Sequence, residues 1–137
     1  MSWSKSFINC YRTYLKNTFK VYRLSPLAVF PFARQKALAW ASRPEEFVKR
    51  AGFVLMAVMA VHDKKAPDRN FDPFFKCIKT EAIDERNFVK KAVNWALRQI
   101  GKRNRSLNKK AIAVAEEIQH FDSRAAQWVA NDALREL

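Results

Sequence analysis

No aspartate or glutamate precedes Glu45, although the chain as a whole carries Lys+Arg 26 against Asp+Glu 13. Glycine, cysteine and histidine are equally scarce, with two of each in 137 residues. Two glycines cannot build a glycine-rich phosphate loop, so nucleotide binding of that kind is excluded. Cys10 and Cys77 stand in no metal or redox spacing and fit a reducing compartment. His62 and His120 are the only histidines, and neither stands in a recognisable Ser/His/Asp order. Glu117 and His120 have the i, i+3 spacing of carboxylate-bridged metal bundles, but a bundle of that kind needs a second copy and further glutamates. No metal and no cofactor is expected. The longest apolar run, Ala51 to Val61, is shorter than the roughly 18 residues a membrane span requires, and reads as a buried helix.

What the sequence has in quantity is helical periodicity and positive charge, and both are densest in Asn87–Asn104. At 100° per residue Phe88, Val89, Ala92, Val93, Ala96 and Ile100 fall on one side, the stripe of a helix burying one face. Lys91, Asn94, Arg98 and Lys102 fall on the other, and Trp95 sits at the border. Gly101 reads as a φ > 0 stop at the helix end.

The same phrase occurs earlier. Phe47-Val48-Lys49-Arg50-Ala51 matches Phe88-Val89-Lys90-Lys91-Ala92 at an offset of 41 residues, and a weaker third copy aligns Trp128 with Trp95. Repeats of about 40–47 residues are the signature of HEAT and armadillo arrays, in which helix pairs stack in a row. No stretch alternates at period 2. The expected fold is therefore all-α: a right-handed, HEAT-like solenoid of about three helix pairs, short of repeats at its N-terminus, over residues 31–137 as one repeat domain. Its helices are expected over 33–41, from Pro44 to about Val61, over 73–82 behind an Asp72 cap, over 87–101 capped by Asp84, over 107–120 with Ile112, Ala115 and Ile118 as its stripe, and over 123–137.

Residues 1–30 are of a different kind: basic, aromatic and free of acid. Phe7, Tyr11, Tyr14 and Thr18 keep a helical rhythm over about residues 5–20, and the composition also suits a poorly ordered basic tail or an organelle import sequence. Cytoplasmic, nucleoid-associated residence is the expectation, with import as the alternative.

From Arg86 to Ala115 there are nine basic residues and no acidic one. A solvated surface mixes signs, so a one-signed block on helices reads as the footprint of a polyanion, nucleic acid being the commonest such partner and an anionic membrane the next. No membrane is expected as partner. The candidate DNA contacts are Lys49, Arg50, Lys90, Lys91, Arg98, Lys102, Arg103 and Arg105, with Trp95 as an aromatic surface beside them, and Arg50, Lys91, Trp95 and Arg98 are expected to share one concave wall of second helices. A scaffold for an acidic protein stays open as an alternative, because concave solenoids also bind peptides.

The segments from Pro31 to Ala66, Glu85 to Asn104, Leu107 to Ile118 and Asp122 to Leu134 resemble the C-terminal half of the AlkD-like DNA alkylation repair glycosylases, which are built of HEAT-like repeats. The resemblance implies hydrolysis of the N-glycosidic bond of N3- and N7-alkylated purines in a cationic cleft around the duplex. It implies that Arg50 holds backbone phosphate and that Trp95 packs on deoxyribose. It also implies a catalytic carboxylate in a W-D-x-x-D-like segment near Leu15, where this sequence has none. A non-catalytic DNA-binding module is the alternative that follows from that departure.

Overall fold

The structure, a computed structural model, describes residues 32–137, and the expected helix over 5–20 lies outside them. Among the described residues there are six α-helices and no strand. They are α1 (Ala33–Ala41), α2 (Glu46–His62), α3 (Asp72–Glu81), α4 (Asn87–Gly101), α5 (Arg105–Gln119) and α6 (Arg124–Glu136), with a 3-10 turn at Asp68–Phe71 before α3. No described helix is long and apolar enough to cross a membrane.

Cross-helix contacts give the order of packing. Phe47 meets Phe88 and Arg103 reaches Ala60, so α2 and α4 run side by side in the same direction. Lys90 lies at Trp128, Asn94 at Val129 and Lys102 at Glu136, so α6 continues that layer in parallel. In the other layer Asp72 pairs with Lys110 and Lys79 with Glu117, which sets α3 parallel to α5. Three helix pairs, α1/α2, α3/α4 and α5/α6, thus stack as the repeat spacing predicts.

The core between the layers is aliphatic and aromatic, with Phe53, Phe71, Phe74, Ile78, Leu97, Ile100, Leu107 and Ile118 all sealed from solvent. Helix α2 is buried at every position from Ala51 to Ala60, which explains a run with no polar face. Phe88, expected in the buried stripe of α4, is instead exposed, and Asn94, expected on the solvent side, is buried. Its amide donates to the Val129 carbonyl at 3.1 Å, a satisfied polar bolt between α4 and α6. In α5 the stripe is Leu107, Ala111, Val114, Ala115 and Ile118, with Ile112 half-buried beside it.

The ends of the helices also differ in detail from expectation. Helix α2 starts at Glu46, after Pro44 and an extended Glu45. Asp72 is the first residue of α3, not its cap. Arg86 takes the N-cap position of α4, while Asp84 accepts from the Arg86 backbone N–H at 3.0 Å and from its guanidinium. That bidentate partner holds the Asp84 carboxyl below the usual carboxylate range. Real side-chain caps occur at Asn104 for α5 and Ser123 for α6, each accepting a backbone N–H.

Gly101 does not stop α4 by a left-handed turn, since no described residue has positive φ. It lies inside the last turn, buried, and its missing side chain is filled by a neighbour. A Cβ there would stand 2.9 Å from the Ala111 Cβ and inside the Leu137 side chain. Gly101→Ala is therefore expected to lower the melting temperature by a few degrees, a net cost of about 1 kcal/mol, because overpacking outweighs the gain in helix propensity. Thermal unfolding followed by circular dichroism checks this.

Candidate nucleic-acid interface

The exposed edge of α4 follows from its burial pattern. Val89, Ala92, Val93, Ala96 and Ile100 turn inward, which leaves Phe88, Lys91, Trp95, Arg98 and Lys102 as a row one helical turn apart along the outside. Phe88 and Lys91 are exposed; Trp95 is half-buried, packed at its inner edge against the core. Neighbouring helices add to this row on both flanks. From α2, the Arg50 guanidinium lies over the Phe88 ring at 4.9 Å, and Phe47 sits 6.1 Å from Phe88. From α6, the exposed Trp128 ring receives Lys90 at 4.9 Å. Burial pushes the Arg50 guanidinium down from its ordinary value, and Glu46 one turn earlier opposes that shift.

Two exposed phenylalanines at equivalent repeat positions are unusual on a surface, because each would gain from burial. Here they form, with Arg50, a cation–aromatic cluster at one end of the α2/α4 seam. Apolar periodicity alone put Phe88 in the core; the signal that distinguishes it is its identity with Phe47 at the repeat offset, since two copies of one residue at a helix start point to a common outward role.

The structure brings Arg50, Lys91, Trp95 and Arg98 toward one face and removes others from it. Lys49 is not on that face: its ammonium is buried, donates to Glu81 and stands 3.7 Å from Asp84. A buried cation in contact with two carboxylates is a joint between repeats, and turning it out to phosphate would take from Glu81 the ammonium it is paired with. Arg103 is likewise structural. It donates to the carbonyls of Ala60 at 3.0 Å and Ala66 at 2.9 Å, with its guanidinium against the Phe71 ring, so it closes the C-terminal end of α2. Arg98 and Lys102 are half-open but paired with α6 carboxylates. Lys91 and Arg105 are exposed, and none of the ion pairs among the described residues involves either.

This face can bind a polyanion, with cations spaced along a helix and aromatic surfaces between them. Among the described residues it holds no constellation for acid–base work. Glu117, one of the two residues in metal-like spacing, pairs with Lys79 at 3.3 Å, and His120 sits exposed at the end of α5.

A protein-family model for DNA alkylation repair enzymes matches residues 11–137. The chain belongs to that family, and the match takes in residues 11–30, ahead of the segments from Pro31 onward that carry the resemblance. A DNA-repair role follows from membership, with DNA as the partner. No curated protein and no solved structure matches the chain.

Proposed function

We propose that the chain binds double-stranded DNA on the α2–α4–α6 face and promotes loss of N3- and N7-alkylated purines by hydrolysis of the N-glycosidic bond. The observation that carries this reading is the row Arg50, Phe88, Lys91 and Trp95 on one open seam of a DNA alkylation repair protein. An alkylated purine is already cationic. As its bond to C1′ breaks, the electron pair moves to the base nitrogen, the sugar takes on oxocarbenium character, and water adds at C1′ with loss of a proton. The protein's task is electrostatic: Arg50 grips a flanking phosphate in two hydrogen bonds, and the negative face of the Trp95 indole lies against the developing positive charge.

The absence of any acidic residue before Glu45 favours a second reading, in which the same face binds alkylated DNA without cutting it. One carboxylate aimed at the sugar is worth about 3–4 kcal/mol in sites of this kind, so its loss costs a factor of hundreds in rate. Single-turnover release of base from a duplex carrying N7-methylguanine separates the two. Release above the spontaneous rate supports hydrolysis; salt-dependent binding without release supports the binding module; salt-independent or absent binding ends both. In either case Arg50→Ala is expected to weaken duplex affinity about tenfold and to flatten the plot of log K against log salt by about one.

A further inference from the structure

The cationic row on α4 is not uniformly open, and the part that is covered is covered by this chain's own acids. Arg98 Nη1 lies 3.7 Å from Asp132, its Nη2 lies 3.2 Å from Glu136, and Lys102 Nζ lies 3.4 Å from the same Glu136 oxygen. Arg135 completes the cluster at 2.9 Å from Asp132. Two carboxylates one turn apart on α6 thus meet two cations one turn apart on α4.

Three features make this more than an incidental surface pairing. The Arg98 guanidinium is half-sunk into the surface: its Nε is buried, so its two Nη groups are what it offers outward, and those carry the carboxylates. The acids are anchored too. Leu137 packs into the space left by Gly101, and Asn108 donates to the Gly101 carbonyl at 3.1 Å and reaches the Leu137 carbonyl at 3.5 Å, which fixes the last turn of α6 against the end of α4. Finally, among the described residues the ion pairs on the α4 row gather at its Arg98–Lys102 end. Lys91, two turns earlier, is exposed and takes part in none of these pairs.

We propose that Asp132 and Glu136 form a fixed anionic screen over the Arg98–Lys102 end of the DNA-binding face, occupying positions that backbone phosphates would otherwise take. This rests on the reading of that face as a DNA surface. The screen limits indiscriminate affinity for undamaged duplex and leaves contact to the Lys91–Trp95 end, where aromatic groups can sense the sugar and base. Because a carboxylate pair and a phosphate compete for the same guanidinium, each phosphate must displace an acid whose helix is packed beside α4.

The test compares undamaged duplex binding over a series of salt concentrations for wild type, Asp132→Asn with Glu136→Gln, and Glu116→Gln with Asp122→Asn. The last pair removes the same charge from exposed acids away from the row, Glu116 on α5 and Asp122 in the turn before α6. The expected result is that the α6 variant binds on the order of tenfold tighter at moderate salt, with a log–log slope steeper by roughly two, one for each uncovered cation. The remote variant changes the slope by much less. Equal effects from the two variants, or an α6 variant indistinguishable from a wild type that does bind, overturn the screen while leaving the DNA surface intact. A wild type that shows no salt-dependent binding overturns both together.

Discussion

Gly52→Ala should cost the protein more stability than any other change of a single methyl group. A Cβ at Gly52 would stand 2.8 Å from the Ala37 carbonyl oxygen and 2.9 Å from the Ala41 Cα, both backbone atoms of α1. Ala33, Ala37 and Ala41 line that side of α1 and are sealed from solvent, so the two helices meet along a seam of the smallest residues. A backbone atom cannot rotate aside as a long side chain does, and the whole of α1 must lift. Overpacking of this kind costs about 3 kcal/mol, against about 1 kcal/mol gained by replacing glycine within a helix. The net loss of about 2 kcal/mol corresponds to a melting temperature lower by roughly 6–10 °C in a domain of this size. Gly101→Ala is the internal comparison: there the obstruction includes the flexible Leu137 side chain at the chain end, so the loss should be clearly smaller. Equal melting temperatures for Gly52→Ala and wild type would show that α1 does not approach α2 so closely.

The two glycines also mark where sequence reasoning stops. The repeat offset and the apolar period were enough for the three stacked pairs, because a solenoid is built from local periodicity and nearest-neighbour contacts. The purpose of a glycine was not legible, since the same residue serves a left-handed cap, a hinge or a close helix crossing, and only the neighbours decide. Gly101 looked like a cap because it ends a helix; it is a socket for Leu137, which lies far along the chain.

Charge was legible as a total and not as an allocation. Lys49 and Lys90 hold the same place in two copies of one phrase, each directly after a phenylalanine and a valine. Yet Lys49 is buried against Glu81 and Asp84, while Lys90 is half-buried and lies over the Trp128 ring. What separates them is the α3–α4 turn, whose acids arrive beside α2 from a different repeat. In the same way Arg98 and Lys102 belong to a stretch without a single acid, but α6 brings Asp132 and Glu136 across from the next pair. A one-signed block in sequence is thus not a one-signed surface in space, because repeats in register set each helix against its neighbour's side chains. The part of the block that stays open, around Lys91, is where a phosphate meets least competition.

Trp95→Ala should produce the largest functional change of any single substitution on the face. The indole is half-buried, anchored at its inner edge by the core and offered to solvent between Lys91 and Arg98. If it stabilises positive charge on the sugar, its removal takes away about 2 kcal/mol that exists only as the bond breaks. Base release from the N7-methylguanine duplex should then fall about 30-fold at saturating protein, since 1.36 kcal/mol is tenfold in rate. Duplex affinity should change less than threefold, because the ring carries no charge to exchange for counterions. Trp95→Phe keeps a ring and most of the packing, so it should recover much of the rate and nearly all of the melting temperature. The opposite pattern, in which Trp95→Ala loses stability and activity in proportion and Trp95→Phe rescues both equally, would identify the indole as a spacer between α4 and its neighbours. The face would then bind through Arg50 and Lys91 alone, with nothing on it that distinguishes an alkylated nucleotide from any other.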